Sequence, residues 1–385
     1  MINERLGFYE FFAGGGMARL GLGPEWRCLM ANDICRKKGH AYRTNFPPGN
    51  ELILEDVHNL TLAKLSDKPI LAWASFPCQD LSLAGNRTGL DAERSGTFWP
   101  FWRHMEAMSE DGRGLPIIVL ENVIGALTSN NGRDLQAILD AMVAANYHVG
   151  LLVLDAVHFL PQSRPRLFFV AIKRNQKIPA KLIQSGPSDL WHPKALRAAY
   201  EALPDYQKNA WVWWRLPAPQ VKRPNLEDLI EDNPMGVRWH TPAETQYLLG
   251  LMSMVNMEKI RKAQALGRRI IGTVYKRTRR DKDGKSVQRA EIRFDQISGC
   301  LRTSIGGSSR QTIFVVEGNN IRSRLLSPRE AARLMGVPED YKLPLNYNEA
   351  YHLMGDGLAV PVVDWIARYI LDPLALANRR LLEAA

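Results

Sequence analysis

The sequence predicts an α/β protein: a doubly wound, Rossmann-like sheet with a smaller domain inserted late in the chain. Three observations carry this. Over residues 1–175, short apolar runs alternate with amphipathic stretches, as βαβ units do. A glycine-rich turn follows the first apolar run directly. After residue 175 the composition changes: prolines and tryptophans crowd into irregular sequence and positive charge accumulates. Residues 1–175 are therefore expected to form one domain, and the length of the chain allows either a second domain or an insertion after it.

Leu6–Phe12 reads as the first strand, Cys28–Ala31 as the second, Glu51–Leu54 as the third, Ile70–Ala74 as the fourth and Ile117–Leu120 as the fifth. Helices are expected near 15–22, 34–44, 97–109 and 133–145. Gly150–Val157 and Leu167–Ile172 follow one another without a helix-length gap, so they read as antiparallel strands at one edge of the sheet.

The tips of these strands carry the chemistry. The first runs into Ala13-Gly14-Gly15-Gly16, where glycines let a ligand approach the backbone and the next helix turns its N-terminus toward it. A tight turn without a ligand would use the same residues. The second strand ends in Asn32-Asp33 and the third in Glu55-Asp56. An acid after the second strand commonly accepts ribose hydroxyls; either acid alone could equally cap a helix. Together the three tips favour a nucleoside-containing cofactor.

The fourth strand exits into Ser75-Phe76-Pro77-Cys78-Gln79-Asp80-Leu81-Ser82, followed by a polar loop reaching Arg94. A lone cysteine is more often structural, but this one stands where doubly wound folds do chemistry. The fifth strand ends in Glu121-Asn122-Val123, placing a possible proton donor beside that loop. In Gln162-Ser163-Arg164-Pro165-Arg166 two arginines alternate, so an extended backbone would turn both guanidiniums to one side.

Residues 1–175 hold 18 Lys+Arg and 18 Asp+Glu; the remainder hold 32 and 22, which accounts for the whole net charge of +10. A neutral front and a basic back separate chemistry from polyanion binding, although charge alone fits a solvated surface as well. Thr241–Leu266 reads as one helix with Leu248, Met252, Val255 and Ile260 as its apolar stripe. Ile270–Tyr275 and Val287–Phe294 flank Asp281-Lys282-Asp283-Gly284, a hairpin signal. Between Arg268 and Arg293 lie ten Lys/Arg against three acids, so this hairpin, with Arg279 and Arg280 near its tip, is the expected reader of a duplex groove. Ser327-Pro328-Arg329-Glu330 is a helix start, and a helix is expected over Val362–Leu371. Cys28, Cys35, Cys78 and Cys300 lack metal-ligand spacing, so no metal is expected. With no run of 18 apolar residues and no signal pattern at Met1–Arg5, a reducing cytoplasm and no membrane are expected.

These residues, in this order, resemble the DNA cytosine-5 methyltransferases of bacterial restriction-modification systems. Phe12-Ala13-Gly14-Gly15-Gly16 is similar to that family's first motif, Pro77-Cys78-Gln79 to its nucleophile motif, Glu121-Asn122-Val123 to its acid motif, and Gln162-Ser163-Arg164-Pro165-Arg166 to its Gln-x-Arg-x-Arg motif. Arg329-Glu330-Ala331-Ala332-Arg333-Leu334-Met335-Gly336 and Gly355-Asp356-Gly357-Leu358-Ala359 resemble its last two.

The resemblance implies a catalytic domain over 1–175 whose sheet binds S-adenosyl-L-methionine, an inserted target-recognition domain over 176–325, and a C-terminal segment over 326–385 that returns to the catalytic domain. The implied reaction is transfer of a methyl group to carbon 5 of a flipped-out cytosine in a short duplex sequence, through a Cys78 adduct. It implies Glu121 at ring nitrogen 3, and Arg164, with Arg166 as the weaker candidate, at the ring's carbonyl oxygen. Phe12, Gly14, Gly15, Gly16, Asp33, Ile34, Asp56, Phe98 and Asp356 would line the cofactor, and Gln79, Ser82, Arg94 and Thr303 would meet DNA. A monomeric, nucleoid-associated enzyme with a cognate restriction endonuclease is the implied setting. Met17, Glu10, Ile34 and Asp356 depart from the family's usual glycine, aspartate, tryptophan and asparagine. The alternatives are a tRNA cytosine-5 methyltransferase of the same fold, against which the long basic insertion argues, and a silent DNA-binding relative.

Overall fold

The computed structural model describes residues 6–77, 96–220, 222–281, 283–303 and 310–383. The chain forms two units, one comprising residues 1–155, 165–219 and 360–385, the other 156–164 and 220–359.

The first unit is built on a seven-stranded sheet in the order β3-β2-β1-β4-β5-β7-β6. Its strands are β1 (Leu6–Phe11), β2 (Trp26–Asp33), β3 (Leu52–Leu54), β4 (Leu71–Ala74), β5 (Ile117–Asn122), β6 (Tyr147–Asp155) and β7 (Pro165–Lys173). The first five run parallel, and β7 lies antiparallel between β5 and β6. Strands covered on both faces read as unbroken apolar runs, and β4 and β5 are buried at every position. On one face Tyr9, Phe11, Ala72, Ala74, Ile118 and Leu120 meet helices Phe98–Glu110 and Arg133–Ala144. Phe98, Phe101 and Trp102 are fully buried there, each contributing about 2–3 kcal/mol. On the other side, helix Met17–Leu22 packs against helix Val360–Ile366; a Cβ on Gly21 would come within 2.3 Å of Val363.

Residues 176–219 fold with this sheet, not with the basic region that follows them. Val149 N–H donates to Ala210 O, Val153 N–H donates to Trp191 O, and Trp214 Nε1–H donates to Val170 O. The helix expected over Val362–Leu371 instead comprises Val360–Ile366, a π turn over Ala367–Leu371 and helix Asp372–Glu383.

The second unit holds an antiparallel sheet in the order β11-β10-β8-β9, with β8 (Ile270–Arg280), β9 (Ser286–Arg293), β10 (Thr312–Glu317) and β11 (Asn320–Leu325). The helix expected over Thr241–Leu266 is two, Pro242–Gly250 and Met254–Ala265, because Gly250 ends the first and Ser253 takes the N-cap position of the second. The break turns Val255 to solvent, while Leu248, Met252 and Ile260 pack on Val274, Ala290, Ile292, Phe314 and Val316. Helix Pro328–Leu334 starts with a full capping box between Ser327 and Glu330. Glu330 also pairs with Arg324, and both side chains are 0% exposed. No helix among the described residues is long and apolar enough to cross a membrane.

Candidate active site

In the first unit, the order of strands reverses between β1 and β4, the crevice where open α/β sheets bind ligands. The turn after β1 is strained. Phe12 has φ 58°, Gly14 φ 57° and Gly16 φ 79°. For Gly16 a side chain is also excluded sterically, since a Cβ would lie 2.3 Å from the Phe46 ring. A Cβ on Gly14 would meet no described atom within 4 Å, so this glycine borders open space.

Two buried groups hold the turn. Asp33 is 7% exposed and accepts the N–H of Gly14 at 2.8 Å and of Cys35 at 2.7 Å. Each carboxylate oxygen keeps a second lone pair for a ligand hydroxyl. Glu10, from the opposite face of β1, accepts the N–H groups of Ala18 and Arg19 at the start of helix Met17–Leu22, and burial pushes its carboxyl up to about 8. The Asn32 amide donates to Ile53 O and Glu55 O, fixing the β2 and β3 tips together.

Ile34 is exposed beside Asp33. Asp56 accepts the His58 N–H and the His58 ring, which together hold its carboxyl below the usual range. Phe98 is buried among Phe76, Trp99 and Trp102, with Trp102 stacked at 5.9 Å. Thr97 Oγ1 is buried, with no hydrogen-bond partner among the described residues. Open space at Gly14, an acid with spare lone pairs and an exposed apolar side chain at Ile34 together suit a nucleoside-bearing cofactor.

The tips of β4 and β5 adjoin, with Ala74 opposite Leu120. Asn122 reaches across and donates its amide to Phe76 O at 3.4 Å, while its oxygen accepts Val123 N–H. Pro77 is the last described residue before Cys78. Cys78, Gln79, Ser82 and Arg94 lie outside the described residues. Glu121 Oε1 lies 3.1 Å from Arg166 Nε, an ion pair with side chains only 10% and 17% exposed.

Arg164 belongs to the second unit, and its guanidinium has different partners from that of Arg166. It is 2% exposed and donates to Leu301 O at 2.9 Å, Gly355 O at 2.9 Å and Gly357 O at 2.6 Å, with Cys300 Sγ at 3.3 Å. β7 begins at Pro165, directly after Arg164, so Arg166 lies on the strand and Arg164 just before it. Gln162 is equally buried, donating to Leu334 O and accepting Leu301 N–H. Thr303 lies against Gly355, where a Cβ would come within 3.2 Å of the Thr303 nitrogen. Asp356 is exposed at the end of helix Tyr347–Asp356. Arg279 and Arg280 are exposed on β8.

The C-5 cytosine-specific DNA methylase model matches residues 6–372. The chain belongs to that family. This methylase is 26% identical to the type II methyltransferase M.BsuFI of Bacillus subtilis over 381 residues, covering 98% of this chain and 76% of the relative. It is 25% identical to M.HhaI of Haemophilus parahaemolyticus, covering 94% of this chain and 93% of that one. Among solved structures, the Entamoeba histolytica methyltransferase EhMeth superposes with a TM-score of 0.64 at 14% identity, and S. pombe Dnmt2 with 0.58 at 16% identity. Each covers 96% of this chain and 99% of its own. Membership makes the methylase a DNA cytosine-5 methyltransferase and implies a methyl donor of the S-adenosyl-L-methionine type.

Sequence reading passed over Asn32, Asn122 and Glu10 as working parts. The signal for the two asparagines was an amide at a strand's carboxyl end, where its donor and acceptor can tie neighbouring tips together.

Proposed function

We propose that this methylase transfers a methyl group to carbon 5 of a cytosine flipped out of a short duplex sequence, with Cys78 as the nucleophile. Addition of the Cys78 thiolate to ring carbon 6 makes carbon 5 an enamine carbon that can take a methyl group from a sulfonium, whose sulfur departs as a thioether; loss of the carbon 5 proton to solvent base and expulsion of the thiolate then restore the ring and free Cys78. Glu121 protonates or hydrogen-bonds ring nitrogen 3, keeping negative charge off the ring during addition. Arg166, paired with Glu121, donates to the ring's carbonyl oxygen. Arg164 is a positioning residue that holds the 300–301 and 355–357 segments through their carbonyls.

The observation that carries this reading is the Glu121–Arg166 pair at the tip of β5, tied by Asn122 to the residue pair leading into Cys78. Flipping costs roughly a few kcal/mol.

S-adenosyl-L-methionine supplies an electrophilic methyl group when bound. Its adenine would lie against Phe12 and Ile34, with Asp56 and Phe98 nearby. Asp33 would take the ribose, and Gly14–Gly16 and Asp356 would face the remainder. Gln79, Ser82, Arg94 and Thr303 would contact DNA around the flipped nucleotide, and residues 220–325 would read the sequence. The enzyme is proposed to act as a monomer and to be partnered by a cognate restriction endonuclease.

The test is nucleoside mass spectrometry of DNA from a host lacking methyltransferases, expressing wild type or Cys78→Ala. 5-Methylcytosine from the wild type alone is expected. No methylated base from either overturns the reading, and tRNA is then the substrate to try.

A further inference from the structure

The β8–β9 ribbon has two unlike faces. Cross-strand register pairs Tyr275 with Glu291, Arg277 with Arg289 and Arg279 with Val287, and places Lys276 opposite Ala290. Side chains alternate along a strand. Ala290 is buried, and its N–H donates to Leu251 O, so its face is the one covered by the helices. Arg280 lies on that parity, toward the tip. The other face carries Tyr275, Arg277, Arg279, Arg289 and Glu291. Tyr275 continues this face inward: its hydroxyl donates to Cys300 O at 2.6 Å, three residues before Thr303.

Every cation on this face is an arginine, and Arg277 stands directly opposite Arg289, an arrangement that repels. One acid relieves it. Glu291 Oε1 accepts from Arg279 Nε at 2.7 Å, and Oε2 lies 3.3 Å from Arg277 Nε. Arg279 turns its Nε and Nη2 to the carboxylate, so Glu291 engages one edge of a half-exposed guanidinium and not its Nη1. A guanidinium held along one edge presents the other as a fixed two-donor fork, the shape that matches guanine O6 and N7 in a major groove. That groove also admits a two-stranded ribbon.

We propose that Glu291 is a specificity-determining positioning residue, holding Arg277 and Arg279 edge-on so that they read guanines in the substrate duplex. This rests on the reading of the hairpin as a DNA contact. Arg280, on the other face, adds charge without sequence information.

The test first maps the sites that wild type methylates in a host without methyltransferases. It then measures methylation and binding on the mapped duplex and on duplexes with single guanines replaced. Glu291→Gln is expected to lower discrimination at one or two guanine positions by about 10–100-fold, with kcat on the mapped duplex within about twofold. Its binding to unrelated duplex is expected to be no weaker, because a negative charge is lost. Arg279→Lys keeps the charge but not the fork, and is expected to lose the same discrimination with the salt slope unchanged. It carries the test if Glu291→Gln folds poorly. Unaltered site preference in both variants overturns the proposal. If Arg277→Ala and Arg279→Ala also leave DNA affinity unchanged at all sequences, the hairpin is not a DNA contact and that underlying reading fails. If they weaken binding while Glu291→Gln keeps full discrimination, only the positioning role of Glu291 fails.

Discussion

Replacing Glu330 with alanine should loosen the second unit far more than an ordinary substitution. The carboxylate accepts from Arg324 Nη1 at 2.8 Å and Nη2 at 2.6 Å, from Ser327 N–H at 2.8 Å and from Glu231 N–H at 2.8 Å. Both charged side chains are 0% exposed. Removing one partner of a buried pair leaves the other charge without compensation, at about 3–5 kcal/mol. Loss of the helix cap adds about 1 kcal/mol, and the orphaned Glu231 N–H adds about 1–3 kcal/mol. The pair alone sets a floor near ~3 kcal/mol. With two units present a single unfolding free energy is not defined, so the assay is amide hydrogen exchange read by peptide. Peptides covering β10 and β11 should exchange at least about 100-fold faster, while β5 peptides stay as in wild type. Arg324→Met with Glu330→Gln removes both charges and keeps a capping oxygen, and should return exchange to within about tenfold of wild type. Acceleration of less than tenfold in Glu330→Ala, or a double variant as loose as the single, would refute the reasoning.

Glu121→Gln should lower kcat by about 10²–10⁴-fold with cofactor affinity within about twofold; a kcat near wild type would remove Glu121 from the chemistry. Gly16→Ala should cost at least about 1–2 kcal/mol from its left-handed backbone alone and weaken cofactor binding as the Phe46 ring is displaced, checked by thermal shift with and without S-adenosyl-L-methionine. Burial pushes the Glu10 carboxyl from 4.5 to about 8, so at neutral pH the folded chain keeps a proton that the unfolded chain has released. Stability from this group therefore falls as pH climbs from about 4.5 to about 8 and levels off above. Glu10→Gln, which cannot ionise, should flatten that fall in Tm between pH 5 and 9, and parallel profiles for the two proteins would refute it.

The parallel strands, from Leu6–Phe11 to Ile117–Asn122, were legible because each is a short, mostly apolar run followed by a glycine-rich or polar segment. The glycine turn was legible for the same kind of reason: Gly14 and Gly16 occupy backbone that other residues avoid. β11 was not legible. Asn320-Ile321-Arg322-Ser323-Arg324-Leu325 reads as polar surface, and burial of Arg324 is made tolerable by the Glu330 carboxylate together with the carbonyls of Leu325 and, far off in the sequence, Glu231. The division of work between Arg164 and Arg166 was equally hidden, since alternation predicts a shared side and says nothing of carbonyls supplied from residues 301, 355 and 357. Val255 misled because a helical stripe assumes one unbroken helix, which Gly250 and Ser253 interrupt.

The first unit is assembled from chain segments that are far apart in time as well as in sequence. Its last part, from residue 360 onward, supplies Val363 against Gly21 and the Asp372 carboxylate that accepts from Trp26 Nε1 at 2.8 Å. A ribosome emits the N-terminal residues first. Helix Met17–Leu22 and the Trp26 ring therefore wait, partly uncovered, while all of residues 220–359 are synthesised. The second unit can close before the first is complete. Truncation near residue 359 should yield a chain whose glycine turn lacks its outer support, and synthesis of the segment from residue 360 onward is the step that makes the seven-stranded sheet's outer layer whole.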